Sequence, residues 1–268
     1  MPLADVNGQR LHYVDSDPDG HKPPAVLVHG FLMDHRMFDP ITAALEADFR
    51  VIRYDTRGFG QTPWDGKPFD FYDAVDDCAA LLDHLGVKQA TIGGMSRGGY
   101  MALRFALVHP ARVRALVLMS TRSGVDGAEL HTIYRQIRDT WRDHGPIDAV
   151  VHGNANGILG PEAEVPALWR EWLPRWRGYA PAAVAAGIDA MIERDDIDDR
   201  LDAITAPALV VHGTADAGIP FADAERLAAA LPDARGLVKI EGGHHAAVLA
   251  RADVVIPPLR AFLRAYAT

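Results

Sequence analysis

The stretch Ala90-Thr91-Ile92-Gly93-Gly94-Met95-Ser96-Arg97-Gly98-Gly99-Tyr100 decides the fold. Ala90–Met95 reads as a short buried strand, and Arg97–Val108 carries a helical period. Between them stands one serine flanked by glycines. Gly94-x-Ser96-x-Gly98 in a strand–turn–helix setting is a nucleophile elbow. Such an abrupt turn strains the backbone of its middle residue. It also demands small residues two before and two after, because the two arms nearly touch. The serine oxygen is then presented at a helix N-terminus, where free N–H groups and the helix dipole favour developing negative charge. The tripartite pattern alone is common; the strand, the helix and the extra glycines give it weight.

Outward from the elbow, short apolar strands alternate with helical segments. Asn7-Gly8 supplies a positive-φ turn between Leu3–Val6 and Arg10–Val14, a hairpin signal. Strands are expected at Ala25–His29, Phe49–Tyr54, Ala115–Met119, Ala208–Val211 and Gly236–Ile240. Helices are expected at His35–Ala47, Tyr72–Leu85, Phe221–Leu231 and a last one ending near Tyr266. Pro257-Pro258 is read as the start of that last helix, since proline is tolerated in the first turn. Wholly apolar strands alternating with helices predict an α/β fold with a mostly parallel central sheet and helices on both faces.

One stretch breaks the rhythm. From Thr121 to about Ala190 only helical patterns appear, punctuated by Gly145-Pro146, Gly160-Pro161 and Pro181. The division expected is a core of residues 1–120 and 191–268 with a helical cap at 121–190. Trp141, Trp169, Trp172 and Trp176 fall in the cap, where each taken singly reads best as filling the cap's own small core. A cap over the carboxyl edge of the sheet covers the place where open α/β folds bind ligands.

The chain's 268 residues suit one such domain. A formal charge of −9 disfavours nucleic-acid or anionic-membrane partners, which call for a basic face. The lone cysteine, Cys78, excludes an internal disulfide framework or multi-cysteine metal site and reads as a small core residue. The opening residues carry no basic stretch followed by an apolar run, and no apolar run is long enough to span a bilayer. A cytoplasmic protein is the expectation. No phosphate-cradling glycine motif is present. The histidines show no metal-ligand spacing with Cys, Asp or Glu, and no metal or cofactor is expected.

A serine hydroxyl needs a base oriented by an acid. Glu241-Gly242-Gly243-His244-His245 follows the last strand, and Val211-His212-Gly213-Thr214-Ala215-Asp216 ends the one before. The resulting order, serine, aspartate, histidine, is the one expected of this elbow. Asp195-Asp196 and Asp198-Asp199 read as a solvated, helix-capping region. His29 and His212, each beside a glycine, read as loop-orienting.

Together these residues resemble the α/β-hydrolase superfamily over essentially the whole chain. His29-Gly30-Phe31 resembles its oxyanion loop, and Asp55-Thr56-Arg57-Gly58-Phe59-Gly60-Gln61-Thr62 its Asp-x-x-Gly-x-Gly-x-Ser turn, with threonine last. The resemblance implies catalytic Ser96, Asp216 and His244, with the main-chain N–H groups of Phe31 and Arg97 as oxyanion hole. Between the two adjacent histidines it favours His244, directly after glycine and at the usual distance from Phe262-Leu263. His245 is left to the pocket or surface. Some members place the acid after the sixth strand, but here Ser120-Thr121-Arg122 offers none before Asp126. The Arg97 side chain is open between touching an acidic substrate group and pairing with an acid.

The reaction so implied is hydrolysis of a small carboxylic ester or lactone through an acyl-enzyme. Serine at the elbow argues against the dehalogenases and epoxide hydrolases of the superfamily, which use aspartate there. Cofactor-free perhydrolase (haloperoxidase) or C–C hydrolase chemistry on the same triad remains open, as does a slow, receptor-like binding protein. The oligomeric state is left open.

Overall fold

The computed structural model describes residues 2–267. Eight strands form one sheet in the order β1-β2-β4-β3-β5-β6-β7-β8. The hairpin is where Asn7-Gly8 predicts it: β1 (Leu3–Val6) pairs antiparallel with β2 (Gln9–Asp15), and both turn residues have positive φ. β2 pairs antiparallel with β4 (Arg50–Tyr54). The other pairings, among β3 (Pro24–Val28), β4, β5 (Ala90–Met95), β6 (Val113–Met119), β7 (Ala208–Gly213) and β8 (Ala234–Ile240), are parallel. β4, β5 and β7 are buried throughout, as continuous apolar runs predict for strands covered on both faces.

Crossover handedness distributes the helices. The chain leaves β3 through α1 (Asp39–Leu45) to reach β4, then reverses through α2 (Phe71–His84), passing β3 to reach β5. Right-handed crossovers therefore put α1 and α2 on opposite faces. α3 (Arg97–Val108) continues in the second direction and packs against α2, while α10 (Ala252–Tyr266), the last helix after α8 (Phe221–Ala230) and the short α9 (Ala247–Ala250), packs against α1. The reversal makes the gap between the carboxyl ends of β3 and β5 a topological switch point, the natural crevice of such a sheet. Phe31 follows one of those strands and Ser96 the other.

Four helices, α4 (Ala128–His144), α5 (Asp148–Ile158), α6 (Pro166–Arg177) and α7 (Pro181–Glu193), fill the interval between β6 and β7. Helix α7 runs past the expected return at residue 190. Trp141, Trp172 and Trp176 are fully buried and Trp169 nearly so, and all four belong to one hydrophobic cluster continuous with the sheet's core. Leu130, Tyr134 and Ile137 form a helical stripe on α4 that lines the cavity beside Ser96.

The last helix corrects one expectation. It begins at Ala252, and Pro257 and Pro258 lie inside it rather than at its start. Pro257 is exposed, and the buried face of Val255, Leu259, Phe262 and Leu263 continues on either side of the prolines. Burial of that face outweighs the ladder hydrogen bonds that the prolines cannot donate. The segment expected as His35–Ala47 is likewise two pieces, a 3-10 turn at His35–Phe38 followed by α1. Asp34 caps that turn by accepting from the Arg36 N–H.

Candidate active site

Ser96 occupies φ 54°, ψ −117°, a conformation rarely adopted by residues with side chains. Two close approaches hold it there. A Cβ on Gly94 would lie 2.1 Å from the main chain of Gly98, and one on Gly98 would lie 2.1 Å from the Val28 carbonyl. The elbow is thus pressed against itself and against the end of β3. It is tied to β6 as well: Ser96 N–H donates to the Met119 carbonyl at 2.8 Å, and Thr121 Oγ1 donates to the Ser96 carbonyl at 2.9 Å.

Arg97 is the first residue of α3, so its N–H has no partner within the helix. The Phe31 N–H makes no backbone hydrogen bond among the described residues. The loop bearing Phe31 is fixed by His29, whose Nδ1 meets the Gly30 carbonyl at 2.8 Å while Nε2 accepts from the Thr56 N–H at 2.9 Å. Burial lowers the His29 pKa to about 4, consistent with that neutral, accepting role.

Asp216 lies in the loop between β7 and the helix Phe221–Ala230 and is buried. One carboxylate oxygen accepts from the N–H groups of Gly218 and Ile219, both at 2.9 Å. The other lies 2.7 Å from His245 Nδ1 and 3.2 Å from His212 Nε2. Burial alone would raise its pKa; the pull of the adjacent His245 imidazole and these hydrogen bonds outweigh it, holding the carboxyl well below the usual range. An ionised carboxylate only accepts, so His245 Nδ1 carries the proton and Nε2 is free to act as a base.

This pairing corrects the expectation for the histidine. His245, not His244, meets Asp216. The loop after β8 (residues 241–246) is pressed onto the loop after β7: a Cβ on Gly213 would lie 2.1 Å from the Gly243 carbonyl oxygen, and Ala215 N–H donates to that oxygen. The two consecutive histidine side chains leave this pinned backbone in different directions. His244 goes outward, its Nε2 2.9 Å from Glu164 and its ring against Gly160, where a Cβ would lie 2.3 Å from Cδ2. Glu164 and Gly160 belong to the stretch between α5 and α6, so His244 joins the sheet's edge to the inserted helices. No local feature of Gly243-His244-His245 separates the two; the partners that do lie 29 and 80 residues away.

Asp126, the other carboxylate near this edge, is engaged elsewhere, with Arg194 at 2.7 Å and Arg122 at 2.6 Å. Arg97 does neither thing the sequence left open. Its buried guanidinium sits 4.7 Å over the Phe59 ring, and its Nη1 has no hydrogen-bond partner. Burial lowers its pKa to about 10. Asp195, like Asp196, Asp198 and Asp199, is exposed, as expected of a solvated stretch; its carboxylate also pairs with the fully buried Arg104 and accepts from the Tyr72 hydroxyl. Cys78 is buried in α2, which pushes its thiol up to about 12.

The fold also gathers His12, His35 and Asp55, whose donor atoms lie within 4.8 Å of one another, from three separate segments. The Asp55 carboxylate already accepts from His12 Nδ1, His35 Nδ1, His35 N–H and Gln61 N–H. A Cβ on Gly60 would lie 2.2 Å from that carboxylate. The cluster is a filled hydrogen-bond hub beneath the turn after β4.

Ser96 and His245 share the wall of one cavity of about 210 Å³. The core supplies Phe31, Met95, Tyr100 and Ile219 among others, and α4, α5 and α7 supply the facing wall, including Tyr134, Gly157 and Ile188. Among the described residues, no acidic or basic side chain apart from His245 lines it.

Residues 23–250 match the family model of the alpha/beta hydrolase fold. A pimeloyl-[acyl-carrier protein] methyl ester esterase of Neisseria meningitidis is 31% identical over 262 residues, covering 92% of this chain and 96% of that one. Among solved structures, a thermophilic esterase from Thermogutta terrifontis aligns with a TM-score of 0.92 at 28% identity over the whole of both chains. The enol-lactonase from Burkholderia xenovorans LB400 aligns at 0.89 and 26% identity, covering 98% of this chain and 100% of the other. With its sheet order, its strained serine at the switch point and a family match across most of its length, this chain belongs to the α/β-hydrolase fold family.

Proposed function

We propose that the protein is a serine hydrolase of small carboxylic esters or lactones, with Ser96 as nucleophile, His245 as base and Asp216 as its orienting acid. The observation that carries this reading is the shared cavity: Ser96 and His245 both line it, and His245 Nδ1 meets the buried Asp216 at 2.7 Å. The names of the esterase and enol-lactonase relatives agree with it.

In this mechanism Ser96 Oγ attacks the substrate carbonyl carbon as its proton passes to His245 Nε2. Asp216 stabilises the imidazolium. The carbonyl oxygen takes the negative charge and is met by the N–H groups of Phe31 and Arg97. A main-chain donor of this kind contributes about 3–4 kcal/mol to the transition state. Collapse breaks the carbonyl–alkoxy bond, and His245 gives its proton to the departing alcohol. Water then attacks the acyl-enzyme, losing its proton to His245, and the acid is released with Ser96 restored. In a lactone, the departing hydroxyl stays tethered to the acyl group. Helices α4, α5 and α7 of the cap form the wall of the acyl side of the cavity.

The test is covalent labelling. A fluorophosphonate is expected to modify the wild-type protein once, at Ser96, with loss of p-nitrophenyl acetate hydrolysis. Ser96→Ala, folded, is expected to lose both adduct and turnover. Wild-type rates in Ser96→Ala would overturn the mechanism.

A further inference from the structure

The cavity beside Ser96 opens to solvent at one rim, and its walls are mostly apolar and carry no fixed charge, which restricts the acyl group it can hold. An apolar cavity of roughly 150 Å³ accommodates benzene, with its six carbons. At about 210 Å³, this one has room for somewhat more. The nearby buried cations are not available to a ligand. Arg194 and Arg122 are bound to Asp126, and Tyr100, which lines the cavity, lies over Arg194 at 4.3 Å. Arg97 faces Phe59 and does not line the cavity. A carboxylate on the acyl chain would lose its water and find no counter-charge.

The cap wall explains the room. Gly153 and Gly157 lie one turn apart on α5, Gly153 exposed at the rim and Gly157 half-buried, and both line the cavity. Glycine is the poorest helix former after proline. Neither backbone angle nor crowding requires it here: neither glycine has a positive φ, and a Cβ at either would meet nothing within 4 Å. What the two glycines leave bare is cavity. Larger residues there would point into space that the acyl chain needs.

We propose that the acyl site selects uncharged, medium-length acyl groups of about six to eight carbons, and that Gly157, with Gly153 at the rim, sets the upper limit. The proposal rests on the hydrolase reading above and names the acyl class for it.

The experiment is a series of p-nitrophenyl esters from acetate to dodecanoate, with the p-nitrophenyl hemiester of adipic acid as the charged six-carbon chain. kcat/KM is expected to peak at hexanoate or octanoate and to fall at least tenfold by dodecanoate. The adipate hemiester is expected on the order of a hundredfold below hexanoate, because a buried carboxylate without a partner is strongly disfavoured. In Gly157→Leu the octanoate-to-acetate ratio of kcat/KM is expected to fall at least tenfold, with Tm unchanged or raised. A flat or steadily rising profile, equal rates for adipate and hexanoate, or an unchanged ratio in Gly157→Leu overturns the acyl-site proposal. Each does so while Ser96-dependent labelling and acetate hydrolysis leave the hydrolase reading standing. Absence of any Ser96-dependent hydrolysis overturns both.

Discussion

His245 Nδ1 lies 2.7 Å from the Asp216 carboxylate. The preceding residue, His244, turns its ring to Glu164 on the other side of the same loop. One peptide unit thus separates the histidine that faces the cavity from the one that fastens the inserted helices to the core. His245→Ala is expected to lower kcat for p-nitrophenyl butyrate by about three orders of magnitude or more, as loss of a triad base does. His244→Ala is expected to keep kcat within about tenfold, since only a partly exposed pair with Glu164 is lost. Steady-state rates of the two variants decide it; the reverse order would return the base to His244.

Asp216→Asn keeps the side chain's shape but replaces an oxygen that can only accept with an amide that can donate. The imidazole is then free to present the wrong tautomer. A fall in kcat of about 10⁴ is expected, with the fold retained by circular dichroism. Because the Asp216 carboxyl is held well below the usual range, it stays ionised through neutral and mildly acidic pH. Its own protonation should therefore leave no step in kcat/KM above pH ~4. A residual activity near wild type in Asp216→Asn would remove it from the mechanism.

Asp55 is a buried carboxylate with four donors, and its pKa is lowered. Burial works against this, and the hydrogen bonds from His12 and His35 outweigh it. A lowered folded pKa means that ionised Asp55 contributes stability fully present above its unfolded value, about 3.9, and lost as pH falls toward the folded value. Asp55→Asn is expected to cost roughly 3 kcal/mol at neutral pH, since it breaks a buried, satisfied network. The loss should shrink in more acidic buffer. Urea midpoints at pH 7 and at roughly pH 3, below the unfolded value, check both statements, and equal losses at the two pH values would contradict the linkage.

Arg97 contributes to the oxyanion hole through its main chain alone in the mechanism proposed above. Its side chain is a buried cation with no carboxylate, held over the Phe59 ring. Arg97→Met removes the cost of burying that charge and loses a cation–π contact of about 1–2 kcal/mol. The expected Tm is equal to or above that of wild type, with kcat within about tenfold. A large fall in both would mean that the guanidinium charge itself acts on the site.

Much of the fold was legible because its signals are local. The strand–elbow–helix around Ser96 depends on glycines within two residues, and the Asn7-Gly8 hairpin on the turn pair itself. Pro257 and Pro258 misled for the complementary reason. The local cost of proline inside α10 is real, but Val255, Leu259 and Phe262 bury a continuous face that offsets it, and burial depends on what lies opposite. The hub at Asp55 was invisible for the same reason, since His12 and His35 come from segments that meet only once the sheet has formed.

The sequence by itself determined the architecture, the strained serine turn at Ser96, and the order of serine, aspartate and histidine along the chain. Short-range backbone preferences and apolar runs suffice for these. Only the tertiary structure decided which of two adjacent histidines meets Asp216, where the Arg97 guanidinium goes, and how much empty space lies beside Ser96. Each of those is set by contacts between chain segments far apart in sequence. A side chain's direction and a cavity's volume exist only after those segments have packed.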